Sequence, residues 1–212
     1  MGSQDYDSLF PTENLNAIQT YLYDRYSTMN VGSDVSNSIF RWTCQKGYLV
    51  VAKWLVTHFT ITIDNARDNY YYVLYDSCTN GHLTMAQWLV EYFGLTANDA
   101  RADRNSILRF LCLKGQLTMI QWLVQRFCLT PDDARDNNNS CLRRSCEYGH
   151  LTLAQYLVEH FHLTANDARA GHNAALHWSC RNGHLAVAQW LSEYFQLTTN
   201  DVHDDDNNYV LL

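Results

Sequence analysis

No run of apolar residues in this chain of 212 approaches the roughly 18 that a membrane-spanning helix requires. The opening, MGSQDYDSLF, has neither the basic start nor the apolar centre of a secretory signal, and Tyr6 stands where myristoylation needs Ser or Thr. Basic charge is scarce: 15 Lys and Arg against 22 Asp and Glu give a net charge of −7, which argues against general affinity for nucleic acid or anionic membrane. There is no C-x-x-C pair of the kind zinc uses, no Gly-rich phosphate loop, no nucleophile with a base, and no carboxylate pair at a useful spacing. These absences point away from catalysis, metals and cofactors. The expectation is a soluble cytoplasmic protein in a reducing compartment, and 47% hydrophobic content is ample for a continuous core.

What the chain has is repetition. LTANDAR occupies 95–101 and returns at 163–169, with LTPDDAR between them at 129–135, so the interval is 34 residues. Gly47, Gly81, Gly115, Gly149 and Gly183 keep that interval without insertion, as do Cys44, Cys78, Cys112, Cys146 and Cys180. Around each glycine lie two short apolar-periodic stretches: Leu176 and Cys180 are four apart in one, and Leu185, Ala188 and Leu191 are three apart in the next. That is the spacing of two helices with one buried face each, and the glycine suits the left-handed residue that ends the first. Stacked helices lie about 8–10 Å apart, too far for the roughly 4.4–6.8 Å Cα spacing of a disulfide, so the cysteine ladder reads as buried thiols; only Cys128 and Cys141 lie off it.

The linkers carry their own chemistry. Thr96, Thr130, Thr164 and Thr198 each precede an acid by three residues, Asp99, Asp133, Asp167 and Asp201, in the arrangement of a capping box. Pro131 sits one position inside, where a helix tolerates it. A third, very short helix is expected in each linker, with Asn105, Asn139 or Asn173 as the N-cap of the next long helix. The second repeat departs from both rules, with Asn65 and Tyr71 in those places.

A unit this small cannot bury its own apolar face, so copies must stack, which predicts an all-α helix-turn-helix solenoid. A tetratricopeptide array has a similar period, but its signature is missing: Trp88 is followed by LVEYF without the glycine. AALHWSCRNGHLAVAQWL, residues 174–191, instead resembles the ankyrin repeat, with Leu176, His177, Ser179, Cys180, Gly183, His184 and Leu185 on its pattern. The resemblance covers about five copies. The opening proline of the family is absent throughout, and LTxxDAR stands where the β-hairpin finger would be, so the short helix is expected in its place; such elongated repeats resemble those of arrays from protists and large DNA viruses. The expected division is a tail over 1–13, a capping half repeat over 14–36 with Leu15 and Gln19 in register, five repeats over 37–206, and at 207–212 a stub of a further repeat or the start of a longer array.

Positions that recur in every copy are best explained by stacking. Trp54, Trp88, Trp122, Tyr156 and Trp190 are expected in the core between repeats. Arg67, Arg101, Arg135 and Arg169 are expected to tie linkers to neighbouring carbonyls or to the capping acids, and His82, His150 and His184 to hydrogen-bond across their turns. His160 and His162 are two apart and do not share a helix face, so no metal pair is expected, and Asp204–Asp206 reads as a solvated acidic tip.

Ankyrin resemblance implies that partners bind on the concave face made by first helices and the loops before them. It places Trp42, Asp76, Phe110, Arg144 and Trp178 on one rung there, and Arg41, Tyr75, Arg109, Arg143 and His177 on the next. Arg101, Arg104, Arg109, Lys114, Arg126, Arg135, Arg143 and Arg144 crowd the middle repeats. Aromatic and arginine side chains are common interface anchors, so Trp42, Tyr70, Tyr72, Arg104, Arg109, Phe110, Arg143, Arg144 and Trp178 are the candidate contact residues. The expected function is a non-catalytic scaffold, monomeric, binding a protein or peptide with an acidic segment. A targeting or regulatory module of a larger effector or ubiquitin-ligase adaptor is the alternative, and nucleic acid or another anion along the central arginines ranks behind both.

Overall fold

The computed structural model describes residues 33–59, 61 and 70–197, together with positions 16, 17 and 20. Most of the capping half repeat, Arg67, the acidic tip at Asp204–Asp206 and the terminal stub lie outside them. All regular structure among the described residues is helical, in the order of an ankyrin-like repeat solenoid. The chain divides after Leu95 into two compact units. The first holds α1 (Ser33–Lys46), α2 (Leu49–His58), α3 (Tyr70–Thr79) and α4 (Leu83–Phe93). The second holds α5 (Ala97–Ala100), α6 (Ala102–Lys114), α7 (Leu117–Phe127), α8 (Pro131–Glu147), α9 (Leu151–Phe161), α10 (Ala165–Arg181) and α11 (Leu185–Phe195).

Each second helix is short and buries one repeated stripe. In α7 it is Met119, Ile120, Leu123, Val124 and Phe127, and in α9 Leu153, Ala154, Leu157, Val158 and Phe161. The spacing wraps one side of a 3.6-residue helix, so each pair gains its stability by packing on neighbours. The turn before each second helix works as the glycine ladder predicts, with φ of +75° at Gly47, +76° at Gly149 and +75° at Gly183. A second reason for glycine was not legible in the sequence. The histidine ring of the following repeat lies on it, so that a Cβ at Gly149 would come within 2.6 Å of His184, and one at Gly47 within 2.5 Å of His82. These histidines do not bond across their own turns: Nε2 of His82 donates to the Gln45 carbonyl at 2.9 Å and Nε2 of His150 to the Leu113 carbonyl at 3.0 Å, each in the preceding repeat.

The short linker helix forms as expected, alone in α5 and as the first turn of α8 and α10. Asp133 accepts the backbone N–H and the hydroxyl of Thr130 at 2.8 and 3.1 Å, and Asp167 does the same for Thr164 at 2.7 and 3.0 Å. The linker arginines then join one repeat to the next. Arg101 Nε and Nη2 donate to Asp133 at 2.7 and 3.0 Å, with Nη2 also 3.4 Å from the Cys128 carbonyl, and Arg135 donates likewise to Asp167 at 2.9 and 3.3 Å. Burial alone would raise the Asp133 and Asp167 carboxyls, but the hydrogen bonds from arginine and from the threonines outweigh it and hold both below the ordinary carboxylate range.

Between the short helix and the long one the backbone reverses hand. Asp103, Arg104 and Asn105 all have positive φ, as do Asn137, Asn138 and Asn139, and Gly171, His172 and Asn173. Asn, Asp and Gly tolerate this conformation best. The asparagines are therefore not N-caps: each sits in the left-handed turn, and its Oδ1 is buried without a hydrogen-bond partner. The aromatic ladder also differs from expectation. Trp54, Trp88, Trp122, Tyr156 and Trp190 are half-buried, and four of them lie against a ring one turn further on, as in Trp54–His58 (centroids 4.4 Å apart) and Tyr156–His160 (5.2 Å). Cys44, Cys78, Cys112, Cys141 and Cys146 are buried thiols, Cys180 is half-buried and Cys128 is exposed. Burial pushes the thiols of Cys44, Cys78 and Cys146 well above their ordinary range.

Candidate partner-binding face

In the second unit the first helices α6, α8 and α10 carry equivalent residues at 34-residue intervals, and these define two rungs: Arg109, Arg143 and His177, and beside them Phe110, Arg144 and Trp178. All six are half-buried. Arg109 Nη2 donates to the Asp103 carbonyl at 3.0 Å, bracing the left-handed turn at the head of its own helix. Arg144 Nη1 donates to Glu147 at 3.0 Å, one turn along α8. The Lys114 ammonium lies 5.5 Å from the centre of the Phe110 ring, and the Arg181 guanidinium lies 5.4 Å from that of Trp178, both within cation–π range. Arg104 is exposed at the tip of its turn.

Arg109 and Arg143 share a further property. The Nε of each is buried and has no hydrogen-bond acceptor. One turn earlier on the same helices, Asn105 and Asn139 each leave Oδ1 buried and unpartnered, as Asn173 does on α10. Asn105 holds its orientation through Nδ2, which donates to Asp136 at 3.3 Å. Buried polar atoms are nearly always satisfied, so exceptions that repeat in register on neighbouring helices stand out. Lys114, Arg181 and the asparagines were not among the candidate residues; the only sequence signal for the asparagines was their period, which fits an N-cap equally well.

The candidates of the first unit fare differently. Trp42 is only 7% exposed and packs edge-on to Tyr48 at 5.4 Å, so its ring is enclosed and not presented to a partner. Asp76, on the same predicted rung, is buried and accepts Arg41 Nε at 2.9 Å. Tyr70 and Tyr72 open α3, and their side chains lie outside the described positions.

The repeated pairs, the turn glycines and the rungs have a counterpart among known families. Residues 108–203 match the family described as ankyrin repeats, in three copies. The matched span begins within α6 and takes in α8 and α10. Ankyrin repeats generally serve as protein–protein interaction modules. No curated protein matches the chain. Among the described residues no helix is long and apolar enough to cross a membrane, and no group of His, Cys, Asp and Glu is placed to hold a metal ion.

Proposed function

We propose that this chain is a non-catalytic interaction module, acting as a monomer in a reducing, intracellular setting, whose first-helix face binds a protein or peptide partner through an acidic segment. The observation that carries this is the rung of arginines on α6 and α8, set beside Phe110 and Trp178. Charge distribution supports it: ten of the chain's 15 lysines and arginines lie in residues 96–197, although the whole chain carries a net −7. An acidic partner would be steered to that region and away from the remainder.

The test is capture from a lysate, comparing the unaltered chain with an Arg104→Glu, Lys114→Glu double variant by quantitative mass spectrometry. Both side chains are exposed, whereas Arg109 and Arg144 hold internal partners whose loss would also disturb the fold. Proteins retained by the unaltered chain and lost by the variant, with acidic segments that bind as isolated peptides, are the expected result. An identical set retained by both would overturn this reading of the face.

A further inference from the structure

The unpartnered atoms follow an order that attraction between opposite charges does not require. On α6 and again on α8, an orphaned acceptor, Oδ1 of Asn105 or Asn139, is followed one helical turn later by an orphaned donor, Nε of Arg109 or Arg143. On α10 the acceptor recurs as Oδ1 of Asn173, with His177 in the donor's position. The acceptor of Asn105 cannot be exchanged for a donor by turning the amide, because its carbonyl oxygen would then face the Asp136 carboxylate. A ligand that reached these covered atoms would have to bring N–H groups as well as negative oxygens. A phosphodiester backbone supplies only acceptors. A peptide supplies both.

Spacing narrows the ligand further. Packed helices lie about 8–10 Å apart, and a chain in the extended polyproline II form rises about 3.1 Å per residue with three residues per turn, so side chains three residues apart share one face at the spacing of neighbouring rungs. The asparagine and arginine of one helix are separated by a turn, about 5.4 Å, which lets a backbone lie along the asparagines while its side chains reach the arginines. Arg109 is 25% exposed in its side chain, so an incoming carboxylate meets the outer guanidinium nitrogens first and Nε as the side chain turns towards it. Resting on the function proposed above, we infer that the face reads an extended peptide with acidic side chains three residues apart, its carboxylates on Arg109 and Arg143 and its backbone N–H groups on Asn105 and Asn139. His177 offers a third position to an acid three residues further on.

Fluorescence anisotropy with synthetic peptides on the full chain tests this. One labelled peptide carries aspartates at every third position among alanine and glycine, a second has the same composition with the aspartates contiguous, and a third has them at alternate positions. The three-residue spacing is expected to bind at least tenfold more tightly than either rearrangement. Arg143→Lys keeps the charge and removes Nε, and Asn139→Gly keeps the left-handed backbone and removes Oδ1; each should erase most of that preference with little effect on binding of the contiguous peptide. Equal affinity for all three peptides would overturn the spacing while leaving an acidic partner in place. Failure of every peptide to bind also overturns it, and the lysate comparison then decides separately whether the face is used at all. Displacement of the spaced peptide by a single-stranded oligonucleotide of equal charge at equal concentration would overturn the peptide assignment in favour of nucleic acid.

Discussion

Replacing Asp133 by alanine should strike two structures at once, because its carboxylate closes the capping box of its own repeat and receives the arginine of the repeat before. It accepts four hydrogen bonds, two from Thr130 and two from Arg101, and its side chain is 7% exposed. Loss of a helix-capping side chain costs about 0.5–2 kcal/mol. Charge-assisted hydrogen bonds contribute about 1.5–3 kcal/mol when shielded, here reduced towards the lower end because the Arg101 side chain is 33% exposed and keeps part of its hydration. Asp133→Ala is thus expected to cost about 3 kcal/mol and Arg101→Gln about 1–1.5 kcal/mol, with a coupling of about 1–2 kcal/mol in the double variant. Urea denaturation followed by circular dichroism at neutral pH measures all three, provided the slope m is unchanged. A coupling below about 0.5 kcal/mol, the level of an exposed ion pair, would refute the claim that this contact joins the repeats.

Gly149 and Gly183 have almost the same φ, +76° and +75°, but only Gly149 is covered by a histidine ring. Gly183→Ala should therefore cost about 1 kcal/mol of backbone strain, and Gly149→Ala distinctly more; equal losses in denaturant midpoint would show that the ring yields freely. For pH, Asp133 and Asp167 titrate lower in the folded chain than the ordinary value of about 3.9, so the unfolded state takes up protons first as acid is added. Their stabilisation is complete above about pH 5 and is lost as pH falls through 4 towards the folded values. An Asp133→Asn, Asp167→Asn variant should start less stable at neutral pH and lose less between about pH 5 and 3; parallel acid profiles would contradict the assignment.

The parts of the fold visible in the sequence were those decided by local chemistry. Gly47 and its equivalents declare a left-handed turn, and Thr130 with Asp133 declares a helix start, whatever surrounds them. The role of Arg101 was legible as a choice between carbonyls and capping acids, and the structure uses both Cys128 and Asp133. Asn105 was misread because asparagine is favoured both as an N-cap and in left-handed backbone, and only tertiary geometry separates the two. The burial of Trp42 was hidden for a related reason: an aromatic on a first helix can serve the core or a partner, and a period of 34 does not say on which side of the helix the neighbouring repeat will lie. The orphaned Oδ1 and Nε atoms could not be foreseen, since satisfaction of a polar atom is a property of its surroundings.

The arginine contacts give the second unit a polarity along the chain. Arg101 serves the box of Asp133, and Arg135 serves the box of Asp167, always from an earlier repeat to a later one. In chain order each of these carboxylates follows its cation, Asp133 after Arg101 and Asp167 after Arg135, so a repeat added at the C-terminal side finds the arginine it needs already in the array. Shortening from the two ends is correspondingly unequal. Removal of the last repeat leaves a guanidinium that water can accept, whereas removal of the first takes from a capping box the cation that binds its carboxylate, and fragments that keep their N-terminal side should be the ones that persist.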